Sequence, residues 1–294
     1  MRLRPFALIE PATVGEALGA LAESDGDTRL VAGGTALVPM MRLGLLRPDR
    51  VVALHGIAAL GGIRTDGGVL ELGATVTHAQ LGRAPAVHAG WPLLAEAAGH
   101  VASPAIRTAA TVGGNLAYAE AASDLSPALL VLDAEVRVAG RGGERTLPAT
   151  AFFRGFYEAA LEPGELVARV RVPPVPAGAR SGYVKFCPRA AEDKPLVGVA
   201  ALLVLDGRGR CEDVRLGLGG AAPTPLRARR AEAAVRGEAL GDAAIRAAAQ
   251  AAADEADPLS DFMGSADYRR DMVRVWVRRL LTALRDGAPV PRPR

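Results

Sequence analysis

The chain has 294 residues, half of them hydrophobic, 23% charged and only 4% aromatic, which is the composition of a soluble globular protein with room for a sizeable core. A formal net charge of +3 is too small for the electrostatic footprint of a nucleic-acid binder. The longest apolar run, Pro195 to Leu205, is about half of the ~20 residues a membrane span needs, and the opening MRLRPFALIEP lacks an apolar signal segment, so a soluble cytoplasmic protein is expected.

In chain order, the pattern begins with a strand at Phe6–Ile9 and an amphipathic helix capped by Thr13. TRLVAGG reads as a buried strand ending on Gly33 and Gly34, followed by a helix over about Ala36 to Leu43. RVVAL and GVLELGA are further short strands, Thr77 opens a short helix, and Trp91 to Gly99 forms another. TVGGNL, Thr111 to Leu116, is expected to be a second strand-and-glycine turn running into a loop, with a helix from about Asp124 to Leu132. AEVRVAG and ERTLPA form a hairpin across Gly140–Gly143, GELVARVRVPP alternates as a strand, and PPVPAGARSG has linker composition.

The last third changes character. Strands are expected at Gly182–Phe186, Leu196–Leu205 and Val214–Gly219, and three helices close the chain. In the last helix Val273, Trp276, Val277, Leu280 and Leu284 make one apolar stripe, while Arg270, Arg274 and Arg278 line a face expected to be solvated. Strands followed by helices describe an α+β module packed on the first part.

Two cysteines, Cys187 and Cys211, fall short of the four thiolates an iron–sulfur cluster takes. The histidines, His55, His78, His88 and His100, have no metal spacing and are expected on loops or the surface. No GxGxxG with a following acid and no GxxxxGK[ST] is present, so neither a Rossmann nor a P-loop site is supported.

The chemistry lies in the paired glycines. A strand running into Gly33–Gly34, and again into Gly113–Gly114, offers backbone N–H groups with no Cβ in the way, an arrangement that binds anions such as a pyrophosphate. Thr35 and Thr111 add hydroxyls and Asn115 an amide. Asp124 has two readings, acceptor for sugar or ribityl hydroxyls or cap of the following helix. Lys185 likewise has two, protection of a sheet edge or a buried charge beside a redox ring.

Together AGGT-x-L at 32–37, TVGGN at 111–115 and SD at 123–124 resemble the FAD-binding medium subunits of molybdenum hydroxylases, the carbon monoxide dehydrogenase and xanthine dehydrogenase type. LGLGGAAPTPLRARRAE and DFMGSADYRRDMVRVWVRRLL extend the likeness to the family's C-terminal domain, so nearly the whole chain is covered. The resemblance implies an α+β fold: a two-subdomain FAD-binding domain of the vanillyl-alcohol-oxidase type over 1–55 and 56–174, then a C-terminal domain over 175–294 with a three-stranded sheet and helices. It also implies FAD contacts from Ala32, Gly33, Gly34, Thr35, Ala36 and Leu37 on one side of the pyrophosphate and from Thr111, Gly113, Gly114 and Asn115 on the other. Asp124 would bind a hydroxyl of the cofactor, and Val167 and Lys185 would approach the flavin ring. The chain would be an electron-transfer flavoprotein, with no catalytic acid–base residue and no metal of its own. A large subunit would hold the molybdenum cofactor and a small subunit two [2Fe–2S] clusters, in a dimer of heterotrimers that passes electrons to an external acceptor. A stand-alone flavin oxidoreductase and a flavin-free scaffold remain as alternatives. Ala36 replaces a common Ser, AYAEAASD departs from the usual loop, and the absence of histidine from both motifs speaks against covalent flavin attachment.

Overall fold

The computed structural model describes residues 3–23, 26–190 and 193–293. Met1, Arg2, Ser24, Asp25, Ala191, Glu192 and Arg294, which fall within the expected units and motifs, lie outside the described residues. The first stretch holds β1 (Ala7–Ile9), α1 (Val14–Ala22), β2 (Thr28–Val31), α2 (Leu37–Arg42) and β3 (Arg50–Ala53). Its three strands form a parallel sheet in the order β1-β3-β2, which aims the end of β2 and its glycines at the rest of the molecule. Thr13 caps α1 by accepting the N–H of Glu16, and Ala17 and Leu18 face the sheet.

The second stretch runs through β4 (Ile63–Asp66), β5 (Val69–Gly73), α3 (His78–Leu81), α4 (Pro85–Gly90), α5 (Pro92–His100), α6 (Pro104–Ala109), α7 (Val112–Tyr118) and α8 (Leu125–Val131). It continues with β6 (Glu135–Gly140), β7 (Gly143–Pro148), α9 (Ala149–Phe152), β8 (Phe153–Gly155), β9 (Glu158–Ala159) and β10 (Leu166–Val172). Among the described residues an antiparallel sheet forms in the order β4-β5-β10-β6-β7, and the expected hairpin closes with Gly140 opposite Gly143.

The third stretch comprises β11 (Arg180–Phe186), β12 (Val197–Leu205), β13 (Cys211–Gly219), β14 (Leu226–Arg227), α10 (Arg229–Ala233), α11 (Asp242–Glu255) and α12 (Ala266–Asp286). The three expected strands are present, and the two-residue β14 adds a short fourth member to the sheet. This sheet is covered on both faces. Ala200 and Leu202 join the core shared with α5 and α8, whereas Val199, Ala201 and Leu203 pack with α11 and α12. Burial on both sides explains why β12 is a continuous apolar run rather than an alternating one.

The stripe of α12 is buried from Val273 to Leu284, as its spacing requires. Arg270 and Arg274 pair with Asp267 and Asp271 on the solvated side. One expectation fails: TVGGN is not a strand running into a turn and a loop. It is the first turn of α7, with Thr111 as N-cap accepting the N–H of Gly114 at 3.1 Å. Two poor helix formers are tolerated there because the fixed contacts around them supply what propensity does not.

Candidate functional site: the cleft at the glycine turns

A cleft of about 540 Å³ lies between the end of β2, the start of α2 and the walls contributed by α3, α6, α7 and the start of β10. Ala32 through Leu37, Thr111, Gly113, Gly114, Asn115 and Val167 all line it. Residues that lie far apart in sequence are thus brought to one cavity of a size common for small-molecule and cofactor sites.

The two glycine motifs do different work. Val38 donates to Gly34 O, but among the described residues the backbone N–H groups of Gly33, Gly34, Thr35, Ala36 and Leu37 have no protein acceptor. Gly34 sits at φ 68°, a left-handed conformation that costs glycine nothing and turns the chain from β2 into α2. This leaves a row of donors on the cleft wall, which suits an anion. In the second motif the donors are spent. Val112 N–H donates to Val76 O, Gly113 to Ala74 O, Gly114 to Thr111 Oγ1 and Asn115 to Thr111 O. The expectation of two equivalent N–H nests is therefore corrected. One turn presents free donors, and the other is a packed wall that offers side chains.

The missing Cβ atoms also have a different purpose from the expected one. A Cβ on Gly33 would fall 1.9 Å from Ala109 O, and one on Gly113 would fall 2.6 Å from Ala74 Cβ. Both glycines permit protein backbone to approach protein, which brings the walls of the cleft together.

Asp124 and Lys185 do not line the cleft. Asp124 Oδ2 accepts from Lys185 Nζ at 3.0 Å and Oδ1 from Tyr183 OH at 2.8 Å, while Lys185 also donates to His100 O at 2.8 Å. The pair is buried between the end of α5, where His100 lies, the N-cap position of α8 and β11. Burial pushes the Asp124 carboxyl up to about 6 even though Lys185 and Tyr183 act in the opposite direction. Asp124 makes no side-chain cap to α8, so that reading is corrected, and Lys185 is a buried charge rather than an edge guard. Ser123 connects this cluster to the cleft by donating to Asn115 Oδ1 at 2.8 Å.

Other cleft residues were not singled out by the sequence reading. Thr75 lines it while donating to Leu60 O at 2.9 Å, and Glu165 lines it with its carboxylate engaged by Arg145. His78, expected on a loop or the surface, is instead a helix residue with no exposure at all. Burial first, and Arg107 second, lower its pKa to about 4, and both ring nitrogens lack a partner. A capping box announces the helix (Thr77 and Gln80 bond reciprocally), but a lone histidine at its first position carries no sequence signal of burial.

Residues 4–175 match the family described as the FAD binding domain in molybdopterin dehydrogenase, and residues 182–284 match the CO dehydrogenase flavoprotein C-terminal domain. The chain belongs to the FAD-binding subunits of the molybdenum hydroxylase family. It is 34% identical over 281 residues to the 6-hydroxypseudooxynicotine dehydrogenase complex subunit alpha of Paenarthrobacter nicotinovorans, covering 96% of this chain and 95% of that one. It is 35% identical over 278 residues to the carbon monoxide dehydrogenase medium chain of Hydrogenophaga pseudoflava, covering 95% and 96%. The solved structure of carbon monoxide dehydrogenase from Hydrogenophaga pseudoflava superposes with a TM-score of 0.94 at 36% identity, over 98% of this chain and all of that one.

The cofactor of this family is FAD, and the cleft fits it. The free N–H row at Gly33–Leu37 matches the anionic pyrophosphate of a dinucleotide, and Leu37, Ile106 and Val167 give the cavity apolar walls. The described residues contain no helix long and apolar enough to cross a membrane.

Proposed function

We propose that this chain is the electron-transfer subunit of a cytoplasmic heterotrimeric molybdenum hydroxylase, receiving electrons from the [2Fe–2S] clusters of a small subunit and delivering them to an external acceptor. A large subunit holds the molybdenum cofactor and oxidises the substrate, and two heterotrimers associate. The observation that carries this reading is the row of unpartnered N–H groups from Gly33 to Leu37 on a cleft of about 540 Å³, in a chain matched over nearly its whole length by medium subunits. FAD, when bound there, supplies the ability to take up and release one or two electrons.

The chain's own residues bind, orient and insulate. The turn from Ala32 to Leu37 holds the diphosphate by charge-assisted hydrogen bonds from the backbone, each worth about 1.5–3 kcal/mol, with the Thr35 hydroxyl beside them. Thr111, Gly113, Gly114 and Asn115 form the opposing wall, and Val167 closes it with apolar surface. Asp124 and Lys185 act from behind that wall, through Ser123 and Asn115. No side chain of the cleft is poised as a nucleophile with its base: Glu165 is committed to Arg145, and the ring nitrogens of His78 are buried. Two cysteines, one of them fully buried on β13, leave the iron–sulfur clusters to another chain.

The test is gentle purification from the native host, followed by the visible spectrum and metal content. Flavin bands in this chain, with iron and molybdenum in co-purifying small and large chains, are the expected result. Flavin without partners or metal would replace the proposal with a stand-alone flavin oxidoreductase, and a colourless subunit inside the complex would replace it with a scaffold.

A further inference from the structure

Three segments that the cofactor reading does not use meet at the carboxylate of Glu120. Glu120 lies in the connection between α7 and α8 and is 8% exposed. Its Oε1 accepts the N–H of Ala122 at 3.2 Å, and its Oε2 accepts the hydroxyl of Tyr157 at 2.6 Å. Lys194, from the connection between β11 and β12, donates to the same Oε2, and its ammonium stands 5.8 Å over the Tyr157 ring. The carboxylate is the hub of this arrangement. Burial alone would raise the Glu120 pKa, but the bonds from Lys194 and Tyr157 more than offset it and hold the group below the usual carboxylate range. Burial and the neighbouring carboxylate push the Tyr157 hydroxyl up to about 12, so it stays a donor at neutral pH.

Tyr157 is an unusual residue to find here. It occupies the turn between β8 and β9 at φ 57°, a left-handed conformation that bulky side chains seldom adopt and that persists only where the surroundings over-determine it. The residue is 41% exposed, so core burial is not what holds it in place. The specific bonds to Glu120 do. The ring packs edge-on against its neighbour Phe156, with centroids 4.7 Å apart, and against Tyr118, the last residue of α7, with centroids 5.0 Å apart and planes at 57°. Tyr118 lines the cleft.

We infer that Tyr157 is a positioning residue for the cofactor cleft: pinned by Glu120 and Lys194, its ring fixes the Tyr118 wall against which bound FAD rests. The inference builds on the FAD reading and adds a group that touches the cleft only through another residue. It also ties the segment carrying Lys194, in the C-terminal part of the chain, to the state of the cofactor site.

The experiment compares the wild type with Tyr157→Phe and Lys194→Met, each purified with its accompanying chains and measured for FAD affinity, visible circular dichroism of the flavin bands and thermal midpoint. The Lys194 side chain is 55% exposed, so its replacement opens no core cavity, and the thermal midpoint reads what is lost when Glu120 keeps Tyr157 and the Ala122 N–H as its partners. Both variants should weaken FAD binding about tenfold and change the flavin dichroism in the same sense, with Lys194→Arg restoring both. Unchanged affinity and dichroism in both variants, or a loss confined to the thermal midpoint, would overturn the inference while leaving FAD as cofactor. A wild-type protein that binds no FAD would overturn the cofactor reading itself.

Discussion

Gly33 rests on the backbone of Ala109 so closely that a Cβ on the glycine would stand 1.9 Å from the Ala109 carbonyl oxygen. The contact joins the turn after β2 to the end of α6, and it decides where the row of free N–H groups faces. It also reassigns the glycine pairs. Gly33 and Gly113 are packing glycines, and only Gly34 has the positive φ that a turn demands.

Gly33→Ala should therefore destabilise the protein by at least about 3 kcal/mol, the upper end of the ordinary cost of overpacking, because the obstacle is backbone rather than a movable side chain. Flavin content should fall with it. Gly19→Ala is the control of opposite sign: Gly19 lies inside α1 with open space where a Cβ would go, and the substitution should stabilise by roughly 0.5–1 kcal/mol. Denaturant unfolding of both variants checks the pair, and equal effects would contradict the close contact. An acidic substitution at Gly113 reports on packing against Ala74, not on repulsion of a ligand.

The Asp124–Lys185 pair predicts a double-mutant cycle. Lys185→Met leaves a buried carboxylate with one partner fewer, which should cost about 3–5 kcal/mol. Combining it with Asp124→Asn should recover most of that loss, since no isolated charge remains. If the pair acts as a joint behind the cleft wall, the double variant should also keep most of its flavin. Direct contact with the cofactor would instead show as flavin loss in the double variant without loss of stability.

Arg227 offers a parallel test away from the cleft. It bridges β14 to α8, donating to Leu130 O at 2.6 Å and Asp133 Oδ1 at 2.8 Å while paired with buried Glu232. Arg227→Met takes from Glu232, which is only 2% exposed, its closest cation and leaves it the Leu216 N–H at 2.9 Å and the more exposed Arg229 at 3.6 Å, so the loss should be up to about 3 kcal/mol. Equilibrium unfolding reads the loss directly, and Glu232→Gln in the same background should recover part of it.

Much of this architecture is legible in the chain. The apolar run of β12, the stripe of α12 and the hairpin at Gly140–Gly143 follow from local periodicity and turn chemistry, and the turn after β2 follows from its paired glycines. What is not legible depends on partners distant in sequence. α7 begins with glycines, and its first-turn donors are satisfied in part by the carbonyls of Ala74 and Val76, which no local pattern reveals. Lys185 belongs to an edge strand of its sheet, and the packing of α5 against β11, with Asp124 just before α8, buries it. β14 has two residues, placed by pairing with Gly217 and Leu218 of β13, too few for a local pattern to announce.

His78 gives the last prediction, with a defined sign. Its folded pKa is about 4, against 6.5 for an unperturbed imidazole, so between these values the unfolded chain binds more protons. Stability from this group is fully present above about 6.5 and is lost as pH falls through 4, with a ceiling of about 3 kcal/mol. Asp124 works in the other direction. Its carboxyl, raised from 3.8 to about 6, contributes stability that is fully present below 3.8 and is lost as pH rises through 6. The two partly cancel in the wild type, so its pH profile alone does not isolate either group. His78→Leu removes the imidazole and leaves Asp124. Measured against the wild type from pH 7 to pH 4, the variant should lose less stability on acidification, by up to about 3 kcal/mol. Parallel profiles for the two proteins would mean that His78 titrates as an exposed histidine does, and that its burial beside the cleft is not maintained in solution.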